Sequence, residues 1–190
     1  KLMDLLTEGV HDKGIFKAIF MAGGPGSGKS FIAKSLFGIP DKFNISMAGM
    51  KMVNQDKELK FLLKKYGFDP AWLDIYPDDV FDTITGEKSK GESGMREFTK
   101  QLSTQRKLGY MKGKLGMIID GTGHSYSKLV AEKKELEKAG YDTYMTFVMT
   151  SLEVAQSRNK ERDRVLPEKI VKKSWNLARK NLGAYKSTFG

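Results

Sequence analysis

A three-layer α/β/α sandwich around a mainly parallel sheet is the fold this sequence predicts, and three observations carry it. A glycine-rich loop, Gly23-Gly24-Pro25-Gly26-Ser27-Gly28-Lys29-Ser30, follows the apolar run Ile15 to Ala22 and leads into a helix-forming stretch. Strand-like apolar runs then alternate with segments of helical periodicity, and no repeat or low-complexity tract interrupts them. Such alternation builds parallel sheets through right-handed crossovers, with helices on both faces and ligands at the carboxyl ends of the strands.

Leu2 to Val10 reads as a short helix, Ile15 to Ala22 as the first strand and Lys29 to Phe37 as the helix after the glycine loop. A connection rich in Gly, Pro and Asn from Gly38 to Asn44 leads toward a brief strand at Lys51 to Asn54. Asp56 to Lys65 carries Leu59, Leu62 and Leu63 at helical spacing, with Gly67 as a stop. The stretch 68–94 holds Pro70, Pro77, Gly86, Gly91 and Gly94 and predicts an inserted loop or lid. A helix resumes at Met95 to Lys112, followed by a buried strand at Leu115 to Asp120 and a helix from Ser127 to Ala139 closed by Gly140. Tyr141 to Met149 is the last strand; Ser151 caps a helix running to about Arg162, and Pro167 opens the final one.

The glycine loop matches G-x-x-x-x-G-K-[ST] in the strand–loop–helix setting that the pattern requires, which places the fold among P-loop NTPases. Several backbone N–H groups must converge on a triphosphate, and chain without Cβ atoms wraps closely enough to aim them. Gly24, Gly26, Ser27, Gly28 and Phe31 are therefore expected around the nucleotide, with Lys29 reaching the β/γ-phosphates and Ser30 ligating Mg²⁺. The start of the Lys29 helix adds partial positive charge at the same place.

Composition bounds the partners. The 190 residues suit one domain, 1–190, with a sizeable core. The absence of cysteine excludes a disulfide framework and a cysteine zinc site and favours a cytoplasmic setting. Apolar runs are strand-sized and no signal pattern opens the chain, so no membrane partner is expected. The net charge of +10 favours polyanions, nucleotide triphosphates first and nucleic acid second.

Asp120 ends an apolar strand, where a carboxylate can hold the Mg²⁺ shell beside Ser30. Asp120-Gly121-Thr122-Gly123 also fits the D-x-x-G of GTPases. Guanine selection calls for Asn-Lys-x-Asp, however, and the nearest match, Asn159 to Arg162, ends in Arg, so ATP is expected in preference to GTP. Arg158 and Arg162 fall four apart on one predicted helical face with Arg164 just beyond, an arrangement suited to closing over a transferring phosphoryl group as a lid at 158–166. Asp56, on the rim after the second strand, is the candidate to take the proton of an acceptor hydroxyl, with Asp78 and Asp79 as alternatives in the 68–94 stretch. Thr122, His124, Arg96 and Arg106 are candidates for contacting the acceptor.

The glycine loop, Val53 to Asp56, Ile118 to Thr122 and the Arg158/Arg162/Arg164 segment resemble, in that order, the motifs of zeta-toxin-like P-loop kinases and of phage-type polynucleotide 5′-kinases. The resemblance implies Asp56 as base, Thr122 near the acceptor, and Arg158 or Arg162 with Arg164 in the lid. It implies a UDP-linked amino sugar as acceptor in the first group and a nucleic-acid 5′-hydroxyl in the second. Where zeta-type enzymes carry Glu-Gly-Thr and soon an Arg, this chain has Asp120-Gly121-Thr122-Gly123-His124. Acceptor choice is expected to lie in the 68–94 insertion.

Overall fold

The computed structural model describes residues 16–38, 49–88, 91–162 and 165–189. The helix expected at 2–10, most of the connection after Gly38, and Arg164 lie outside the described residues. Four strands, β1 (Lys17–Ala22), β2 (Lys51–Val53), β3 (Met117–Asp120) and β4 (Asp142–Phe147), pair in the order β2-β3-β1-β4, every pair parallel. The helices are α1 (Lys29–Phe37), α2 (Gln55–Lys65), α3 (Trp72–Ile75), α4 (Pro77–Thr85), α5 (Gly91–Lys112), α6 (Tyr126–Lys138), α7 (Leu152–Lys160) and α8 (Glu168–Phe189).

Strand pleating divides the apolar side chains between two cores. Ala18, Phe20, Val53, Met117 and Ile119 point to one face, where Tyr110 and Met111 of α5, Leu129 and Leu136 of α6 and Phe189 of α8 cover them. Met21, Met52 and Ile118 point to the other and pack on Ile32, Ala33 and Phe37 of α1. Burial on both sides explains why these strands read as continuous apolar runs. Register sets the site: Met21 lies opposite Asp120, Val53 opposite Ile119 and Ala22 opposite Phe147. The glycine loop, the Asn54 turn, the Asp120 loop and the segment after β4 therefore leave the sheet along one rim.

The described residues of 68–94 are mostly helical where a loop or lid is expected. Pro77 occupies the first turn of α4, Gly86 caps that helix at φ 69°, and Gly91 and Gly94 lie in the first turn of α5. The residues that read as breakers are starts and stops of helices, since Pro is preorganised at a helix start and Gly for the left-handed cap. Leu73, Val80, Phe81 and Ile84 pack with Leu59 and Leu63 of α2 and Met95 of α5 into a separate apolar cluster. Arg106 on α5 donates to buried Glu58 on α2 at 2.6 Å, so this candidate acceptor contact instead ties two helices together. Burial raises the Glu58 carboxyl above its usual value, and the Arg106 guanidinium opposes the shift.

Candidate active site

The glycine loop owes its shape to what surrounds it. Gly26 has φ 75°, and a Cβ there would stand 2.2 Å from the Ala155 carbonyl oxygen at the packed start of α7. A Cβ on Gly23 would meet the Val148 carbonyl oxygen at 2.4 Å, and one on Gly24 would sit 3.4 Å from the Trp175 Cα on α8. Gly26→Ala is expected to destabilise the protein by more than the ~1–2 kcal/mol that a left-handed backbone costs an L-residue. Gly86→Ala meets open space at a similar φ and serves as the reference; urea unfolding of the two variants measures the contact at Gly26.

Gly28, at φ 98°, turns the chain into α1, which starts with no side-chain cap and no acidic residue in its first turn. Its first N–H groups are thus left for an anion. Lys29 donates from Nζ to the Gly23 carbonyl at 2.7 Å across the mouth of the loop. A cleft of about 490 Å³ opens beside it, lined by Ser27, Gly28, Phe31, Met149, Thr150 and Arg158. Its volume suits a small-molecule site. Phe31 is 71 % exposed, an unusual position for a large aromatic ring.

Asp120 lies across the rim. Its Oδ2 accepts from Asn54 Nδ2 at 2.6 Å, while Oδ1 is buried with no partner among the described residues. Burial pushes this carboxyl above its usual value, Asp56 pushes it further, and Lys29 and Lys57 pull it back. The structure therefore gathers Lys29, Asp56 and Asp120 within electrostatic reach of one another. Asp56 is exposed in the first turn of α2. Ser30 is exposed at the start of α1.

An orphaned buried carboxylate oxygen fits a Mg²⁺ ligand. No cluster of three or more His, Cys, Asp or Glu side chains able to hold a metal occurs among the described residues. Mg²⁺ is commonly held by one or two protein oxygens together with substrate phosphates. Ser30 and Asp120 are the residues that would hold it.

Asn54 links the parts; it lies within the Val53 to Asp56 motif, where only Asp56 is expected to act. Its Oδ1 accepts from the Lys57 N–H at 3.0 Å, capping α2, and its Nδ2 reaches Asp120. One side chain thereby fixes the helix that carries Asp56 against the strand that carries Asp120. Asn54→Ala is expected to lose the cap, worth about 0.5–2 kcal/mol, together with the Asp120 contact. Asn54→Ser keeps a cap acceptor without the reach to Asp120, so it is expected to recover the cap's share of stability in thermal unfolding but not the share from the Asp120 contact.

Arg158 sits in the last turn of α7, its guanidinium 3.2 Å from where a Gly28 Cβ would stand. Arg162 does not share its helical face, because α7 ends at Lys160 and Arg162 lies exposed in the turn beyond. The helix stops where Asn159, 1 % exposed, uses its amide to grip the following chain: Nδ2 donates to the Leu166 carbonyl at 2.7 Å and Oδ1 accepts from the Leu166 N–H at 3.2 Å. The residue weighed above as part of a guanine-reading motif is instead a clasp on the expected lid.

Thr122 hydrogen-bonds His124, and the Thr122 carbonyl accepts from the Gly23 N–H at 3.3 Å, joining this loop to the phosphate loop. Tyr185 and Asn181 of α8 donate to the Gly123 carbonyl at 3.0 and 3.2 Å, and Asn181 also donates to that of His124 at 3.0 Å. Asp79 is exposed in the first turn of α4. Arg96 is exposed on α5, and its carbonyl accepts from Gln55 at the start of α2.

The family model described as an AAA domain matches residues 19–184. Among solved structures, AvrRxo1-ORF1:AvrRxo1-ORF2 with sulphate ions aligns with a TM-score of 0.59 at 15 % identity, covering 96 % of this chain and 54 % of that one. A structure of the same complex has ATP. A chain of the Pnkp1/Rnl/Hen1 RNA repair complex aligns at TM-score 0.58 and 17 % identity over 93 % of this chain and 47 % of that one. The PezAT chromosomal toxin–antitoxin system of the human pathogen Streptococcus pneumoniae gives 0.59 and 15 %, over 99 % and 71 %. This chain spans about half the length of the first of these structures, and at such identities the likeness is one of fold. None of the curated proteins matches the sequence.

Proposed function

The chain belongs to the AAA domain family, and from that premise we propose that it is an ATP- and Mg²⁺-dependent phosphotransferase that moves the γ-phosphoryl group to a hydroxyl acceptor. The observation that carries the proposal is the Asn54 bridge, which holds a carboxylate on α2 and another at the end of β3 beside the phosphate-loop lysine. A protein that only bound nucleotide would have no need of Asp56 on that rim.

In this reading the glycine-loop amides and Lys29 hold the β- and γ-phosphates, and a bound Mg²⁺ offsets their charge. Asp56 takes the proton of the acceptor hydroxyl. The acceptor oxygen bonds to the γ-phosphorus as the bond to the β–γ bridging oxygen breaks, and ADP leaves. Arg158 stabilises charge on the moving oxygens, a type of contribution worth orders of magnitude in phosphoryl transfer. The 158–166 segment serves as a lid clasped by Asn159, and the helices within 68–94 serve the acceptor side.

Arg158→Ala is expected to lower kcat much more than it weakens ATP binding, whereas Arg162→Ala, beyond the helix end, has the smaller effect. Single-turnover kinetics beside nucleotide titration separates the two. The function itself is tested with γ-labelled ATP against UDP-sugars and hydroxyl-ended oligonucleotides. Label in the sugars identifies a zeta-type acceptor, and label in the oligonucleotides a polynucleotide acceptor. Free phosphate alone overturns the transferase reading in favour of an ATPase.

A further inference from the structure

The final helix carries an excess of one sign of charge that the proposed reaction does not use. From Lys169 to Phe189, α8 holds Lys169, Lys172, Lys173, Arg179, Lys180 and Lys186 and no Asp or Glu. All six are exposed. Val171, Ala178 and Tyr185, seven apart, are the buried edge of the helix. At 100° per residue, Lys169, Lys173 and Lys180 lie directly opposite that edge, and Lys172, Arg179 and Lys186 form a second row on one flank.

Together the two rows span about 26 Å from Lys169 to Lys186 at about 1.5 Å per residue. The flank row runs beside Trp175, whose ring carries Arg179 at 5.1 Å and whose backbone abuts Gly24 of the phosphate loop. The acidic groups of α6 are turned to other partners: Glu132 and Glu135 bind Lys107, and Glu137 binds Lys133. Glu168 meets Lys160 at the helix start. Among the described residues, none of the five lysines on these rows makes an ion pair.

We infer that this face of α8 is a docking surface for a nucleic-acid strand, held by its phosphate backbone. A linear array of cations matches a linear polyanion, and each neutralised phosphate releases counterions. An anionic membrane is the poorer match. Binding there calls for apolar side chains that enter the interface, and the outward positions Lys169, Lys173, Asn176, Lys180, Gly183 and Ser187 offer none.

The test is fluorescence anisotropy of a labelled mixed-sequence single-stranded oligonucleotide with the whole chain, across a salt series and without ATP. Log K is expected to fall with log salt at a slope of about −0.7 per cation engaged, near −4 for six. Lys169→Ala/Lys173→Ala/Lys180→Ala is expected to flatten that slope by about 2. Lys128→Ala/Lys134→Ala/Lys138→Ala removes equal charge from exposed α6 positions and is expected to leave it in place. No binding, equal flattening by both triples, or tighter binding of the chain to phosphatidylserine vesicles than to the oligonucleotide each overturns the inference. Nucleotide titration and thermal unfolding verify that both triples are folded. With ATP absent, the outcome is independent of whether phosphoryl transfer is found.

Discussion

Asp56→Asn is expected to cut kcat by about 10²–10⁴-fold, the range for loss of a positioned general base, with ATP affinity nearly unchanged. The side chain stands exposed in the first turn of α2, outside the glycine loop, so its removal touches no phosphate contact. The amide keeps its size, and the Asn54 cap does not depend on it, so fold and cleft are retained. If the large loss accompanies Asp79→Asn instead, the base lies on α4 and the acceptor enters from that side.

Asp120→Asn is expected to separate stability from activity. Burial raises the folded-state value of this carboxyl above the 3.8 of a free aspartate. Between 3.8 and the raised value the folded chain binds more protons than the unfolded chain, so Asp120 makes stability fall as pH rises through that window. Above the ordinary aspartate range the wild type therefore carries a penalty for keeping this carboxyl buried, which Lys29 and Lys57 only partly offset. The neutral amide removes it, so the variant without nucleotide is expected to unfold at a higher temperature than wild type at pH 7, with the difference vanishing below the ordinary aspartate range. Transfer, by contrast, is expected to fall by about 10²–10³-fold, the scale for losing one preorganised electrostatic partner of a developing charge. Adding Mg²⁺ to the ATP-bound proteins is expected to raise the unfolding temperature of wild type and leave that of the variant where it was. A variant less stable than wild type at neutral pH would mean that Asp120 is already satisfied in the fold.

What the sequence made legible follows from how local the cause is. The β1–loop–α1 unit is readable because a phosphate-binding turn requires glycine at fixed offsets between a strand and a helix. Asp120 is readable because an acid that ends an apolar run lies at a strand's carboxyl end. Within 68–94 the helices are not legible because Pro77 and Gly86 have the same spelling as helix terminators inside a loop and as the boundaries of α4; only the packing of Val80, Phe81 and Ile84 on α2 and α5 distinguishes the two. Asn54 has a local half and a distant half. Its cap on α2 is a short-range pattern, whereas its bond to Asp120 joins residues 66 apart and depends on the β2–β3 register. Arg106 reads as an acceptor contact because polar residues are read by type, whereas its partner Glu58, like the Leu166 backbone that Asn159 grips, is a tertiary neighbour.

The bond from Lys29 to the Gly23 carbonyl makes the loop its own competitive inhibitor. A triphosphate has to win the ammonium away from an oxygen of the protein, so the measured dissociation constant reports an exchange of partners rather than a simple gain. A hydrogen bond with a charged donor nets about 1.5–3 kcal/mol, equivalent to roughly ten- to a hundredfold in affinity. Weak nucleotide binding would therefore be compatible with a fully formed site, and discrimination among phosphate ligands would be set by which of them offers that ammonium more than one carbonyl does.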